Sequence, residues 1–266
     1  MPRFAANLTM MFTEHPALER FDRAAEAGFA AVEFLFPYEE RTADLRDALD
    51  RNGLELVNFN LPAGDFAAGD RGFANDPRRV AEFREGVGRA LEVAAALGSP
   101  KLNCLAGLTL ADVPVADQWA ALEENLAYAA EEASKAGVLQ MVEPLNTFDT
   151  PGFLLGTLSA GFALVERVGH PNLKVEYDVY HAQRTEGNLA ATIRARIGQI
   201  GHVQIADSPG RNQPGTGEIN FPYLFAVLDE VGYDGWVSLE YRPLGPSAAS
   251  VAWLRDWNLW PANGRG

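Results

Sequence analysis

The 266-residue sequence contains a single cysteine, Cys104, which excludes an intramolecular disulfide and is interpreted as a small buried hydrophobic residue. It has no apolar run of the roughly 18 residues that a membrane-spanning helix needs. Its N-terminus, MPRFAANLTMMFTEH, lacks the charged start and long apolar core of a signal peptide. These absences predict a soluble protein of a reducing compartment, most simply the cytoplasm.

Positive charge is also scarce, because 22 Lys and Arg face 36 Asp and Glu and the net charge is −14. This balance repels nucleic-acid phosphates and anionic lipid. The densest basic cluster, Arg78, Arg79 and Arg84, is interrupted by two glutamates. We therefore expect neither nucleic acid nor a membrane as a partner. A small anionic substrate is compatible with the sequence, since one or two well-placed cations are enough to bind it.

What the sequence does contain is a regular alternation of strand-like and helix-like segments. Short apolar or β-branched runs predict eight strands, at 3–8, 31–36, 54–60, 101–107, 138–144, 173–179, 200–206 and 235–241. Helix-like segments cover 17–27, 42–52, 77–97, 115–136, 157–168, 187–198, 221–231 and 247–257. Six helices are followed by a glycine, the residue that favours the left-handed conformation of a helix end: Gly28, Gly53, Gly98, Gly137, Gly169 and Gly232.

This alternation predicts parallel strands joined by crossover helices, hence the α/β class. Eight units in this length fit a closed (β/α)8 barrel, the TIM barrel. A doubly wound sheet would need a Gly-rich phosphate-binding turn after its first strand, and Asn7-Leu8-Thr9-Met10 is not one. We predict one barrel domain over residues 1–258 and a C-terminal tail over 259–266. The long irregular segment 61–77 should lie on the barrel's C-terminal face, as a lid or as a plain connection.

Polar residues stand at the ends of four consecutive predicted strands: Glu143, Asp178, Gln204 and Glu240. The C-terminal ends of barrel strands meet at one rim, so we expect these side chains to converge. Four oxygen ligands suit a hard divalent cation such as Mg²⁺ or Mn²⁺. Carboxylates this close otherwise require another positive charge or a retained proton. The alternative is that each acid is a solvated strand-end residue.

Two further residues are candidates for substrate binding. His181 lies three residues after Asp178 and is expected in a loop over the site, either bonding a substrate oxygen or acting as an ordinary loop histidine. Arg211 follows the seventh strand, and its guanidinium fork fits a carboxylate. A surface arginine is the simpler interpretation of the same position.

Three more titratable residues should point into the barrel below the rim. Glu176 lies two residues before Asp178 and faces the same side, so it requires a buried partner such as Lys174 or Arg3. His202 is interpreted as polar packing of the core. Glu33, on the second strand, is compatible with a structural or a functional role.

Four long motifs occur in order along the chain: EPLNTFDTPGF (143–153), YDVYHAQR (177–184), GHVQIADSPGRNQPGTGEINFPYLF (201–225) and GWVSLEYRP (235–243). They resemble the hydroxypyruvate isomerase family of the xylose isomerase-like barrels. The resemblance implies that Glu143 and Glu240 donate and accept protons. Related ketose 3-epimerases imply a divalent metal bound through Glu143, Asp178 and Glu240, with a histidine as fourth ligand. Gln204 occupies that fourth position here and departs from the pattern.

The resemblance thus implies an aldose–ketose isomerase that acts on a small hydroxy-oxo acid, interconverting hydroxypyruvate and 2-hydroxy-3-oxopropanoate. The same acid pair would serve a 2-oxo-tetronate isomerase or a ketose 3-epimerase. A metal-dependent phosphodiesterase of nucleic acid would need many histidines, and the sequence has four. A non-catalytic binding barrel is a further alternative. Trp253, Trp257 and Trp260 should cover either the barrel's own face or a partner's, and we expect a homodimer.

Overall fold

The computed structural model describes residues 1–260. Its strands are β1 (Arg3–Asn7), β2 (Ala31–Glu33), β3 (Glu55–Leu56), β4 (Phe59–Asn60), β5 (Lys101–Leu105), β6 (Leu139–Glu143), β7 (Leu173–Asp178), β8 (Ile200–Ile205) and β9 (Trp236–Leu239). They form one sheet in the order β3-β2-β1-β9-β8-β7-β6-β5-β4. Every hydrogen-bonded pair of neighbouring strands in this order is parallel.

The two end strands of this order are halves of one extended segment, so the sheet closes on itself. The backbone N–H of Val57, between the halves, donates to Val32 O in β2 at 3.0 Å. The backbone N–H of Leu61 donates to Asn103 O in β5 at 2.7 Å. The predicted (β/α)8 barrel is therefore confirmed, with its third predicted strand interrupted at Val57 and Asn58.

The helices are α1 (Glu19–Ala27), α2 (Thr42–Asn52), α3 (Val80–Leu97), α4 (Val115–Lys135), α5 (Leu158–Val168), α6 (Val179–Thr185), α7 (Leu189–Arg196), α8 (Phe221–Glu230), α9 (Ser247–Ser250) and α10 (Ala252–Asp256). A short 3-10 helix, Ile197–Gln199, follows α7. The predicted helix over 247–257 is two short helices, and α6 lies in a segment with no predicted helix. All six helix-ending glycines have positive φ, from 61° to 105°.

Each long helix packs one apolar stripe against the barrel, as α4 illustrates. Leu122, Leu126 and Ala129 are fully buried at spacings of four and three, so they lie on one face. Burying a leucine side chain contributes about 1.5–3 kcal/mol. The strands are thereby enclosed by helices, and the open C-terminal rim is left for polar side chains.

Cys104 lies in β5 with 1% of its surface exposed to solvent, so it is buried as predicted. Burial raises the pKa of its thiol to about 12, so the nucleophilic thiolate is nearly absent at neutral pH. We expect the native protein to react with a thiol reagent at pH 8 at least about 100-fold more slowly than the urea-unfolded chain. Absorbance-monitored labelling measures both rates, and rapid native labelling would contradict the burial.

The C-terminal tryptophans cover the chain's own barrel. Trp253 is buried against Phe4 and Phe225, with ring centroids 5.6 and 6.0 Å away. Trp260 packs edge-on against Phe29 at 4.9 Å, so the first residues of the predicted tail lie on the barrel. Residues 261–266 lie outside the described residues. The homodimer stays a prediction, since these side chains no longer argue for it. Among residues 1–260, no helix has both the length and the apolar character needed to cross a membrane.

Candidate active site

The polar strand ends converge as predicted. Glu143 ends β6, Asp178 ends β7, Gln204 is the register partner of Asp178 in β8, and Glu240 directly follows β9. All four are at least 96% buried. Ligand atoms of Glu143, Asp178, Glu240 and His181 lie within 4.8 Å of one another. One compact acidic cluster therefore occupies the C-terminal mouth of the barrel.

Asp178 both ends β7 and begins α6. Its Oδ1 accepts hydrogen bonds from the backbone N–H groups of Tyr180 at 2.6 Å and His181 at 3.3 Å, so it is the N-cap of the helix. The prediction that His181 lies in a loop is wrong, because His181 is in the first turn of α6. The second oxygen, Oδ2, is buried and has no hydrogen-bond partner among residues 1–260. One oxygen of Asp178 thus fixes the backbone, and the other is available to a ligand.

The hydrogen bonds of His181 define which ring nitrogen carries its proton. Nδ1 lies 3.0 Å from the backbone N–H of Asn146 and 2.7 Å from its side-chain amide, so Nδ1 is an acceptor. Burial lowers the pKa of His181 to about 4, although Asp178 opposes the shift. The ring is therefore neutral at pH 7 with its proton on Nε2. Nε2 lies 3.6 Å from Asp178 Oδ2 and 3.9 Å from Glu143 Oε1. In this tautomer Nε2–H is a hydrogen-bond donor, and Nε2 has no free lone pair for a metal ion.

Arg211 is the one guanidinium that pairs with the acidic cluster in the described chain. Its Nη2 lies 2.5 Å from Glu240 Oε2 and 3.7 Å from Asp178 Oδ2. The guanidinium also lies over the ring of Tyr180, 5.1 Å from the centroid. Nη2 of the predicted carboxylate-binding fork thus bonds Glu240, whereas Nε has no hydrogen-bond partner among residues 1–260. Arg211 principally offsets the negative charge of the cluster.

The cluster holds more negative charge than Arg211 can offset. Burial, Glu240 and Asp178 raise the pKa of Glu143 well above its usual range. Burial and Asp178 raise the pKa of Glu240 to about 8, against the opposing effect of Arg211. Three carboxylates facing one guanidinium and a neutral histidine need protons or a cation to be stable in a buried site.

A second polar layer, made of Glu33, Asn7, Gln204 and His202, supports the cluster from below. Glu33 Oε1 accepts from the side-chain amides of Asn7 and Gln204, both at 2.7 Å, and the same amides lie 3.5 and 3.4 Å from Glu240 Oε1. Glu33 Oε2 lies 2.9 Å from His202 Nε2. Burial alone would raise the pKa of Glu33, but these hydrogen bonds and His202 lower it. His202 is thus core polar packing, as predicted, and Glu33 is an ionised acceptor.

The orientation of the Gln204 amide follows from Glu33. A carboxylate only accepts hydrogen bonds, so the Gln204 nitrogen must face Glu33. Gln204 Oε1 is consequently directed elsewhere, and it has no hydrogen-bond partner in the described part of the chain. Glu143, Asp178 and Glu240, whose carboxylate oxygens lie within 4.8 Å of one another, form a set of oxygen donors with excess negative charge. This group could hold a hard divalent cation.

The predicted partners of Glu176 are wrong. Glu176 Oε1 accepts from the side-chain amide of Asn58 at 2.7 Å, whereas Arg3 donates to Asp234 O and contacts the Trp236 ring. Burial, with Glu143 and Glu33 nearby, raises the pKa of Glu176 well above its usual range. This rise favours the protonated, uncharged form of Glu176, which needs no cationic partner.

A cavity of about 540 Å³ lies above the acidic cluster. Its lining residues include Glu143, His181, Glu240, Thr9, Arg71 and Arg242. Phe66 and Arg71 belong to the long irregular segment after β4, so this segment forms part of the cavity wall. Pockets of roughly 300–1,000 Å³ typically accommodate small organic ligands.

Comparisons with known proteins agree with this geometry. The family described as xylose isomerase-like TIM barrel matches residues 21–257. The chain is 50% identical to a 2-oxo-tetronate isomerase of Cupriavidus necator, over 97% of this chain and 99% of that protein. It is 48% identical to a hydroxypyruvate isomerase of Escherichia coli K12, over 96% and 98%.

A crystal structure named AP endonuclease, family 2, from Brucella melitensis is 45% identical, with a TM-score of 0.94 over 97% of this chain and 99% of that chain. The predicted resemblance and the predicted isomerase class are confirmed. The chain belongs to the xylose isomerase-like TIM barrel family.

Proposed function

We propose that this protein is an aldose–ketose isomerase that interconverts hydroxypyruvate and 2-hydroxy-3-oxopropanoate. The observation that carries the proposal is the pair Glu143 and Glu240, two buried carboxyl groups with raised pKa that line one cavity from β6 and from the end of β9. A carboxyl group whose pKa is raised toward the working pH can both accept and return a proton. The similarity to the hydroxypyruvate isomerase of Escherichia coli supports the choice of substrate.

The reaction moves hydrogen between adjacent carbons and leaves the composition unchanged. One glutamate removes a proton from C3 of hydroxypyruvate, which gives an enediol, and a proton is then returned at C2. A further proton passes from the C3 hydroxyl oxygen to the C2 oxygen. The C–H groups next to a carbonyl are weak acids, so the site must provide a base at carbon and stabilise negative charge on oxygen.

Other residues are placed to stabilise the negative charge that forms on the substrate oxygen. His181 Nε2–H is fixed as a donor by the backbone of Asn146 and is placed to bond the oxygen that gains charge. Arg211 offsets the developing charge from the side of Glu240. Glu143, Asp178, Glu240 and the carbonyl of Gln204 are the residues that would hold Mg²⁺ or Mn²⁺. Bound there, such an ion would polarise the substrate's carbonyl and hydroxyl oxygens.

A second candidate substrate is a 2-oxo-tetronate, one carbon longer. Two observations favour it: the similarity to the 2-oxo-tetronate isomerase of Cupriavidus necator and a cavity of about 540 Å³, larger than a three-carbon acid needs. The reacting carbons and the acid pair would be the same. An endonuclease activity has no such support, because the acidic cluster of the described chain contains a single histidine and the net charge is −14.

A coupled assay with the purified protein tests the proposal. We expect turnover of hydroxypyruvate, with 2-oxo-tetronates and free ketohexoses as comparison substrates. If a divalent cation takes part, EDTA should lower the rate at least about tenfold and Mn²⁺ or Mg²⁺ should restore it. Epimerisation of a ketohexose without turnover of either acid would contradict the proposal.

A further inference from the structure

The segment after β4 is anchored beside Glu143, and Arg71 stands next to that anchor. Gly72 forms an antiparallel bridge with Ala106, and its N–H donates to Ala63 O at 3.0 Å. Gly72 has φ 87°, and a Cβ there would collide with the carbonyl of Leu105, so the backbone lies directly on the end of β5. Leu105 is the register partner of Glu143. The anchor therefore holds Arg71 at the cavity wall, on the Glu143 side.

The guanidinium of Arg71 is held in place and has one edge free. Its Nη1 donates to Asp70 O at 2.6 Å and Phe66 O at 3.2 Å, and its Cζ lies 4.8 Å from the centroid of the Phe66 ring. Among residues 1–260, no carboxylate forms an ion pair with it, and Nε and Nη2 make no hydrogen bond. Nε–H and the adjacent Nη2–H form the edge of the guanidinium that binds a carboxylate bidentately.

The other two arginines that line the cavity are less suited to this task. Arg211 already donates to Glu240 at 2.5 Å, and its displacement would leave the acidic cluster without its guanidinium. Arg242 is exposed to solvent, where a flexible side chain loses more entropy when it binds. Arg71 is partly buried and already ordered by its backbone contacts.

We propose that Arg71 binds the carboxylate of the substrate through its free Nε–Nη2 edge. This inference rests on the proposed function, because it supplies the cation that a hydroxy-oxo acid requires. A carboxylate held at Arg71 would direct the reacting carbons toward Glu143 and Glu240. The enzyme would then select acids over neutral ketoses of the same length.

The test compares hydroxypyruvate with dihydroxyacetone, a neutral ketose of the same carbon number. Calorimetry on the non-reacting Glu143→Gln background gives the Kd of both. We expect Arg71→Gln to weaken hydroxypyruvate binding about 10- to 100-fold and to change dihydroxyacetone binding less than about twofold. Arg71→Lys keeps the charge but not the fork, so an intermediate loss is expected. In otherwise unaltered enzyme, Arg71→Gln should raise KM by a similar factor and leave kcat within about threefold.

Arg84→Gln is the matched control, because it removes the same charge from α3, where Arg84 pairs with Glu124 outside the cavity. Arg84→Gln should leave both Kd values unchanged. Circular dichroism spectra should verify that every variant is folded. Unchanged preference for the acid in Arg71→Gln, or its loss in Arg242→Gln instead, would overturn the inference. If the protein isomerises neither acid, the proposed function is wrong. If Arg71→Gln nevertheless removes its selectivity for the carboxylate, the carboxylate-binding role of Arg71 is supported.

Discussion

Glu143→Gln and Glu240→Gln are each expected to lower kcat for hydroxypyruvate by about 10²- to 10⁴-fold. Glutamine keeps the size and one carbonyl oxygen of the side chain but cannot accept or return a proton at neutral pH. Either substitution interrupts the transfer between C3 and C2, because one carboxyl group must remove the proton and the other must return it. Stopped and continuous coupled assays at saturating substrate measure the effect, and near-normal turnover in either variant would eliminate this pair as the proton-transfer groups.

Glu143→Gln should fold at least as well as the unaltered protein when metal is chelated. Glu143 has a raised pKa because its ionised form is buried beside other carboxylates, so at pH 7 that carboxyl group destabilises the folded state. Glutamine removes this cost. We expect equal or higher Tm in EDTA, and Glu55→Gln, an exposed change on β3, provides the control. A large loss of Tm would indicate that lost activity reflects damage to the fold.

The barrel was predictable because its signals are local. The alternation of strand-like and helix-like segments and the glycines after six helices depend on residues close in sequence. All six glycines have the positive φ that this position requires. The convergence of Glu143, Asp178, Gln204 and Glu240 followed once the strands were assigned, since parallel strands place their C-terminal ends on one rim.

Features that depend on tertiary contacts were missed. Asn58 is the partner of Glu176 because its side chain is buried at the break in the third strand and donates to Glu176 Oε1, and no local pattern marks that break. Arg71 lies in an irregular segment whose anchor is a contact between Gly72 and β5. The helix α6 had a usable signal, since Asp178 is a favourable N-cap residue, but the β-branched run before it suggested a strand end and a loop.

Glu33→Gln is expected to lower the free energy of unfolding by about 3 kcal/mol. This is the largest effect that we expect from a conservative single change in the polar layer. The Glu33 carboxylate accepts from Asn7 and Gln204 on one oxygen and faces His202 on the other. A glutamine must direct its NH₂ group toward one of these sets, so buried donors would then face each other. Urea unfolding monitored by tryptophan fluorescence measures the loss, and Glu55→Gln should change stability by less than about 0.5 kcal/mol.

The effect of Glu33→Gln on turnover separates a structural role of the layer from a positioning role. The Glu33 carboxylate, at 2.7 Å, is a nearer acceptor for the Gln204 nitrogen than Glu240 Oε1 at 3.4 Å, and this contact directs Gln204 Oε1 away from Glu33. If Glu33 positions Gln204, Glu33→Gln should also weaken Mn²⁺ binding about tenfold by calorimetry, in line with the loss of an outer-shell partner. Gln204→Leu, which lacks the oxygen altogether, should then weaken Mn²⁺ binding by at least as much. Unchanged Mn²⁺ affinity in a destabilised Glu33→Gln variant would assign Glu33 to the fold alone.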